Sequence, residues 1–146
     1  MRSFALLAAL ALTACATSPT YQAAAAVNAQ VNAAITYTED AEQYGRRDVW
    51  AVDPASGKGD CEDFALTKVA MLQARGIAAE VGICMGSPYH AVALVQDGPT
   101  TWVLDNRQNR DADGQYRSVV VSNADYPCKV WLQPETVARI RAERLI

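Results

Sequence analysis

The chain has 146 residues, with 13 basic and 16 acidic side chains and a formal net charge of −3 at pH 7. That length suits a single domain with one modest hydrophobic core. An acidic balance without any basic run argues against nucleic acid as a partner.

The first residues have the pattern of a bacterial secretory signal. Arg2 supplies the positive charge, and the apolar run from Phe4 to Leu12 is too short to span a bilayer as a helix. The sequence Leu-Thr-Ala-Cys that ends at Cys15 resembles the lipobox of bacterial lipoproteins, in which the cysteine is acylated and becomes the first mature residue. We therefore predict a lipoprotein signal peptide at residues 1–14 and lipidation at Cys15.

The predicted anchor also indicates a location. An aspartate after the acylated cysteine would favour the inner membrane in many Gram-negative bacteria, and Ala16 stands there instead. We expect an outer-membrane lipoprotein that faces the periplasm, with a short tether at residues 15–22 and a domain at 23–146. Simple secretion after cleavage near Ala14 or Ala16, giving a soluble periplasmic or secreted product, is the alternative.

Helices are predicted next along the chain. Residues 22–37 are rich in alanine, asparagine and glutamine, and apolar residues recur there at every fourth position, as in an amphipathic helix. A short helix from Glu39 to about Tyr44 should stop at Gly45. Trp50 either lines a cleft beside the functional residues or packs as a core aromatic.

The most informative stretch is Gly59-Asp60-Cys61-Glu62-Asp63-Phe64-Ala65. Asp60 is a good N-cap, and Asp63 completes an imperfect capping box, so a helix of about 13 residues should begin at Cys61. The unpaired N–H groups and the dipole at a helix start lower the pKa of a thiol and can donate to an oxyanion. The stretch therefore predicts a cysteine nucleophile.

A base and its orienting group are predicted on a hairpin. His90, the one histidine in the chain, begins an apolar run typical of a strand, and a second strand ends in Asp105. The dipeptide Asp97-Gly98 between them is a strong signal for a two-residue loop, which would place His90 directly opposite Asp105. A longer loop, which Pro99 favours, would shift the register by about two residues and keep the pair within reach.

Cysteine, histidine and aspartate in this order supply a nucleophile, a base and a group that orients the base. Taken alone, a helical cysteine is usually a small buried residue, and a histidine at a strand end is often structural. Their joint occurrence favours catalysis by Cys61, His90 and Asp105. Zinc is disfavoured, because the chain has no C-x-x-C pair and only one histidine.

The remaining residues complete an α+β fold with an antiparallel sheet. The alternating segment 77–85 predicts a strand packed on the nucleophile helix, and residues 106–116 predict a polar loop or hairpin. Further strands are predicted at 117–121 and 129–132, and Pro134 should start a final helix that reaches about Arg144.

Four cysteines are present. If Cys15 is acylated and Cys61 is the nucleophile, Cys84 and Cys128 remain as a candidate disulfide in an oxidising compartment. Two buried free thiols are the alternative, because pairing depends on geometry.

Three blocks of sequence resemble the bacterial transglutaminase-like cysteine proteinases. They are the specific Gly59–Ala65 block and the shorter blocks His90-Ala91-Val92 and Val103-Leu104-Asp105-Asn106. The resemblance implies a papain-like, transglutaminase-like core with N-terminal helices and with the nucleophile at the start of a helix packed on an antiparallel sheet. It also implies a Cys-His-Asp triad that hydrolyses a peptide bond through a thioacyl-enzyme, with no cofactor required for the chemistry. Acyl transfer by a transglutaminase or amidase with the same triad, and a non-catalytic binding domain on this fold, are the alternatives.

The resemblance has implications for metal and partners. Members of this periplasmic group that release large biofilm adhesins use calcium, bound by acidic residues beside the nucleophile, which correspond to Asp60 and Glu62. Acidic residues at a helix start are also favourable without any metal, since they complement the helix dipole. The implied partners are a protein substrate, such as a surface adhesin or envelope protein, and a membrane-bound regulatory receptor for a cyclic dinucleotide.

Overall fold

A computed structural model describes residues 17–85, 89–110 and 116–144. The predicted signal peptide, the lipidation site Cys15 and the first residues of the predicted tether lie outside these ranges. None of the described helices is long and apolar enough to cross a membrane.

Helix α1 spans Pro19–Ala34, so it begins inside the segment predicted as a tether. Ser18 caps it, because its side-chain oxygen accepts a hydrogen bond from the Tyr21 N–H at 2.9 Å, and proline is well suited to the first helical position. Its first and last residues therefore each lie three positions earlier in the chain than those of the predicted helix, 22–37.

Short elements lead from α1 to the nucleophile. Strand β1 (Thr36–Tyr37) lies parallel to β2 (Lys58–Gly59), and helix α2 (Asp40–Tyr44) lies between them in the chain. Helix α2 ends at Gly45, whose φ of 67° lies in the left-handed region that glycine adopts without strain. Helix α3 then spans Cys61–Gln73, and both its start and its length of 13 residues confirm the prediction.

Five strands form one antiparallel sheet in the order β6-β5-β4-β3-β7. The strands are β3 (Ala79–Cys84), β4 (His90–Asp97), β5 (Thr100–Arg110), β6 (Tyr116–Ser122) and β7 (Trp131–Leu132). Helix α4 follows at Pro134–Arg144. The α+β fold with an antiparallel sheet is confirmed. Residues 106–116 were predicted as a loop or hairpin, and the hairpin is confirmed, because β5 continues to Arg110 and pairs with β6 from Tyr116.

The two faces of the sheet are covered differently. Helices α1 and α3 pack on one face and enclose the main core, which includes Val27, Val31, Phe64, Leu72, Val81, Ile83 and Leu104. On the other face, Val92, Leu94 and Val103 form a smaller cluster against which Tyr126 and Trp131 pack. The connection between β6 and β7, residues 123–130, joins opposite edges of the sheet across this second face, and we call it the strap.

The hairpin of β4 and β5 has a different register from the predicted one. Asp97 pairs with Thr100, so the loop consists of Gly98-Pro99. The predicted direct pairing of His90 with Asp105 is therefore wrong: Asp105 lies two residues away from the position opposite His90. Because side chains alternate with a period of two, this shift leaves both residues on the predicted face, as diagonal neighbours.

Candidate active site

The position of Cys61 follows from the residues around the start of α3. The Asp60 side chain accepts a hydrogen bond from the Glu62 N–H at 3.2 Å, and Asp63 accepts one from the Asp60 N–H at 3.3 Å. This capping box sets where the helix begins. Gly59 permits a close approach, since a Cβ atom there would lie 2.7 Å from the Cβ of Asp63.

The thiol of Cys61 is half-buried where α3 packs on β4. It donates to Glu62 Oε2 at 3.1 Å, and the backbone N–H of Ala91 acts to lower its pKa. Ala91 directly follows His90 in the chain. The nucleophile predicted from sequence thus lies beside the start of β4, where the predicted base is located.

His90 and Asp105 form a close pair. The His90 Nε2 atom lies 2.7 Å from Asp105 Oδ1, and the two side chains are only 13% and 14% exposed. Burial by itself would raise the pKa of Asp105, but the hydrogen bond and the charge of His90 outweigh it, and the pKa falls to about 2. Asp105 is therefore ionised and accepts the Nε2 proton, so Nδ1 is the ring nitrogen that can exchange a proton with a thiol.

Three further contacts hold Asp105, and sequence analysis predicted none of them. The Tyr126 hydroxyl donates to Oδ2 at 2.6 Å, and the Arg107 N–H donates to Oδ1 at 2.9 Å. The Asn32 side chain donates to the Asp105 carbonyl at 2.9 Å. In addition, the exposed Arg107 side chain places Nε 3.0 Å from Nε2 of His90.

Lys68, another residue that sequence analysis missed, lies under the site in α3. Its side chain is fully buried, with Nζ 3.4 Å from the carbonyl oxygen of Leu104 and 5.7 Å from the centre of the Phe64 ring. Burial lowers the pKa of Lys68 to about 7, although the charge of Asp105 opposes this change. The side chain connects the nucleophile helix to the residue that precedes Asp105.

The prediction that the helix start lowers the pKa of the thiol is wrong for this structure. Burial raises the pKa of Cys61, and the negative charge of Glu62 raises it further. The Ala91 N–H opposes both effects only in part. Burial, together with the nearby carboxylates of Glu62 and Asp60, therefore outweighs the effect of the helix start.

Among the described residues, two groups of candidate metal ligands share Asp60. One consists of Asp60, Cys61 and Glu62, and the other of Asp40, Asp60 and Asp63; within each group the ligand atoms lie within 4.8 Å of one another. Asp60 and Glu62 were predicted as ligands, whereas Asp40, from the start of α2, was missed.

The second group has the features of a cation site. Asp40, Asp60 and Asp63 are all buried, and Oδ1 of Asp40 has no hydrogen-bond partner among the described residues. Burial, together with the neighbouring Glu62 and Asp40, raises the pKa of Asp60 to about 8. Clustered carboxylate oxygens of this kind are the ligands that calcium prefers, and a hard cation would neutralise their mutual repulsion. These residues therefore fit calcium.

The other residues singled out from the sequence are the two further cysteines and Trp50. Cys84 and Cys128 form a disulfide, and Cys84 also pairs with His90 across β3 and β4. Trp50 is half-buried and packs against the main core, which favours the interpretation as a core aromatic.

Comparisons with known proteins give the same fold and a family. The structure of calcium-bound LapG from Legionella pneumophila matches with a TM-score of 0.60 and 21% identity, over 80% of this chain and 67% of LapG. A second LapG structure matches at 0.58 with 19% identity, over 85% and 76% of the two chains. The EGTA-treated form matches at 0.57 with 20% identity, over 82% and 70%.

A family profile matches most of the chain, although none of the curated proteins matches it significantly. The sequence profile of the bacterial transglutaminase-like cysteine proteinases, BTLCP, matches residues 8–133. Together with the shared fold, this match shows that the chain belongs to the bacterial transglutaminase-like cysteine proteinases.

Proposed function

We propose that the protein hydrolyses peptide bonds with Cys61 as the nucleophile, His90 as the acid and base, and Asp105 as the group that orients the imidazole. One observation carries this assignment: Cys61 lies at the start of α3, which packs on β4, and at the start of β4 His90 bonds to Asp105 at 2.7 Å. A thiol and an oriented imidazole at one strand end are the elements of a cysteine peptidase.

The reaction follows from these positions. The Cys61 proton moves to Nδ1 of His90, and the thiolate attacks the scissile carbonyl to form a tetrahedral oxyanion. The Cys61 N–H, in the first turn of α3, donates to that oxyanion. The imidazolium then protonates the leaving amine as the C–N bond breaks, which gives a thioacyl-enzyme. Finally His90 takes a proton from water as the water oxygen adds to the acyl carbon. The C–S bond then breaks, the Cys61 sulfur takes the proton back from His90, and the carboxylic acid is released.

The test is cleavage of a quenched-fluorescent peptide library by wild type, Cys61→Ala and His90→Ala. Both variants should fall to background while their melting temperatures stay within a few degrees of wild type. Retained activity in Cys61→Ala would contradict the proposal. Products in which a primary amine, and not water, takes the acyl group would instead assign acyl transfer to the same residues.

We further propose that calcium binds at the acidic group of Asp40, Asp60 and Asp63, with Glu62 beside it. The buried Oδ1 of Asp40 without a partner and the raised pKa of Asp60 support this site. LapG, which has the same fold, has been solved in calcium-bound and EGTA-treated forms. Bound calcium would offset the carboxylate charges beside Cys61 and so favour the thiolate. The chemistry itself stays with the triad.

For the location, we propose an outer-membrane lipoprotein anchored through acylated Cys15, with an adhesin or another envelope protein as the substrate. The lipobox-like sequence supports the anchor, and the proteinase family supports a protein substrate. A membrane-bound receptor would regulate the enzyme. In membrane fractionation, Cys15→Ala should move the protein from the membrane to the soluble or uncleaved fraction. A wild-type protein that is soluble after osmotic shock would contradict the anchor.

A further inference from the structure

Tyr126 is the residue outside the triad that makes the shortest contact with Asp105. Its hydroxyl donates to Oδ2 at 2.6 Å, while Oδ1 is shared by His90 and the Arg107 N–H. Burial and the bond to Asp105 raise the pKa of Tyr126 well above its usual value, so the phenol keeps its proton and stays a donor. Both carboxylate oxygens are therefore fixed, and the bond from Tyr126 prevents rotation of the group away from His90.

The other neighbours of Asp105 cannot replace this contact. The Arg107 Nε atom lies 3.6 Å from Oδ2, and its side chain is 63% exposed, so solvent screens it and many rotamers compete. Asn32 contacts the backbone carbonyl of Asp105 and leaves the carboxylate orientation free. Among the described residues, orientation of Oδ2 therefore depends mainly on Tyr126.

The strap holds Tyr126 in place by three means. Its ring stacks on Trp131 with centroids 5.6 Å apart, and the Trp131 indole N–H donates to Asn123 at the start of the strap. The Tyr126 carbonyl accepts a hydrogen bond from the Cys128 N–H at 2.8 Å. Cys128 is then bonded covalently to Cys84, the partner of His90 in the sheet. The disulfide thus links the strap, which carries Tyr126, to β3, the strand beside His90.

We propose that Tyr126 is a positioning residue of the triad, and that the Cys84–Cys128 disulfide holds it against Asp105. The inference rests on the proposed roles of Cys61 and His90. Its effect passes through Asp105, because a fixed carboxylate stabilises the imidazolium and with it the thiolate of Cys61. Loss of the hydroxyl should therefore reduce the reactivity of Cys61 without any change in the residues that contact the sulfur.

The experiment measures alkylation of Cys61 by iodoacetamide, which needs the thiolate and no peptide substrate. The full chain is treated at several pH values in 1 mM calcium chloride, and the modified tryptic peptide 59–68, which has Cys61 as its only cysteine, is quantified by mass spectrometry. In Tyr126→Phe, which keeps the ring on Trp131, the rate near pH 7 should fall about tenfold, the effect of losing a hydrogen bond to a charged group. The midpoint of the pH profile should rise by about one unit.

Tyr21→Phe is the matched control. Tyr21 packs edge-on against Trp102 near the opposite end of the hairpin, and the same loss of a hydroxyl there should leave the rate and the midpoint unchanged. A wild-type rate and midpoint in Tyr126→Phe would overturn the proposal. Once a peptide substrate is known, Tyr126→Phe should lower kcat with KM within about twofold of wild type, since the phenol acts through Asp105.

A double variant, Cys84→Ala/Cys128→Ala, tests the role of the disulfide without any reductant, which would also act on Cys61. Its alkylation rate should fall to the level of Tyr126→Phe, and adding Tyr126→Phe to it should cause little further loss, because both changes act through one contact. A wild-type rate in the double variant would contradict the role given to the disulfide. If the proposed function is itself wrong, Cys61 in His90→Ala should be alkylated at the wild-type rate. That result distinguishes failure of the proposed function from failure of the role given to Tyr126.

Discussion

The imidazole of His90 and the carboxylate of Asp105 are diagonal neighbours on adjacent strands, and they meet at 2.7 Å although they are not paired in the sheet. Asp105→Asn keeps the size of the side chain but replaces a charged acceptor with an amide, which can stabilise the wrong tautomer of His90. We expect kcat to fall by about 10²- to 10⁴-fold. Asp97→Asn, the same change at the other end of this hairpin, should keep kcat near wild type. Comparable losses of kcat in both variants would mean that each carboxylate charge only supports the fold, and that Asp105 has no specific role in orienting His90.

Removal of Lys68 should change how stability depends on pH. Its pKa falls from an ordinary value of 10.5 to about 7 on folding, so between these values the unfolded chain binds a proton that the folded chain lacks. The free energy of unfolding should rise with pH above about 7, by at most about 1.4 kcal/mol per pH unit, and this contribution is lost as pH falls through 7. Lys68→Met should flatten this slope in urea denaturation between pH 7 and 9.

Lys58→Met is the control for Lys68, because Lys58 is exposed in β2. It should keep the wild-type slope. If the unfolding free energy of Lys68→Met depends on pH as steeply as that of wild type, Lys68 keeps its proton in the folded chain. It then binds the Leu104 carbonyl as a buried ammonium cation.

Calcium should stabilise the chain through the buried acidic group. At a concentration of calcium about a hundredfold above the Kd, the gain should be about 2.7 kcal/mol, or a rise of several degrees in melting temperature. Asp40→Asn should remove most of this rise, because it removes a charge from the group while Cys61 keeps its neighbours. Glu80→Gln, an exposed change on β3, should keep the rise. A melting temperature that is the same with calcium and with a chelator would show that the acidic residues only cap the helix.

Gly59 should not tolerate a side chain. A Cβ atom there would lie 2.4 Å from Oδ2 and 2.7 Å from Cβ of Asp63, so Gly59→Ala must displace the start of α3. We expect a loss of about 1–3 kcal/mol and slower alkylation of Cys61. In Gly76→Ala the new Cβ has no neighbour within 4 Å, and only the φ of 73° is unfavourable, so stability should fall slightly while thiol reactivity stays unchanged. Equal effects on reactivity in both variants would contradict a steric role for Gly59.

Local signals predicted the parts of the site that local interactions build. The capping box of Asp60 and Asp63 fixed the position of Cys61 within the helix before the fold was known. The hairpin was predicted with the wrong loop, yet the shift by two residues kept His90 and Asp105 on one face, because side-chain orientation repeats with a period of two.

Most of the contacts that sequence analysis missed join distant parts of the chain. Asp40 reaches the acidic group from α2, and Tyr126 reaches Asp105 from the strap across the sheet. Neither residue has a periodicity or a motif that distinguishes it from a solvent-exposed acid or a loop tyrosine. Similarly, the pKa of Cys61 depends on burial and on the packing of Glu62, which spacing along a helix does not reveal.

The disulfide divides the triad into two covalent regions. Its 44-residue separation encloses His90, Asp105 and Tyr126 in one covalent ring, whereas Cys61 lies outside the ring. By chain-entropy estimates, closure of a loop of that length restricts the unfolded ensemble by about 4 kcal/mol, and this restriction applies only inside the ring. When the molecule unfolds, His90, Asp105 and Tyr126 therefore stay tethered to one another within the ring, whereas Cys61 and α3 do not.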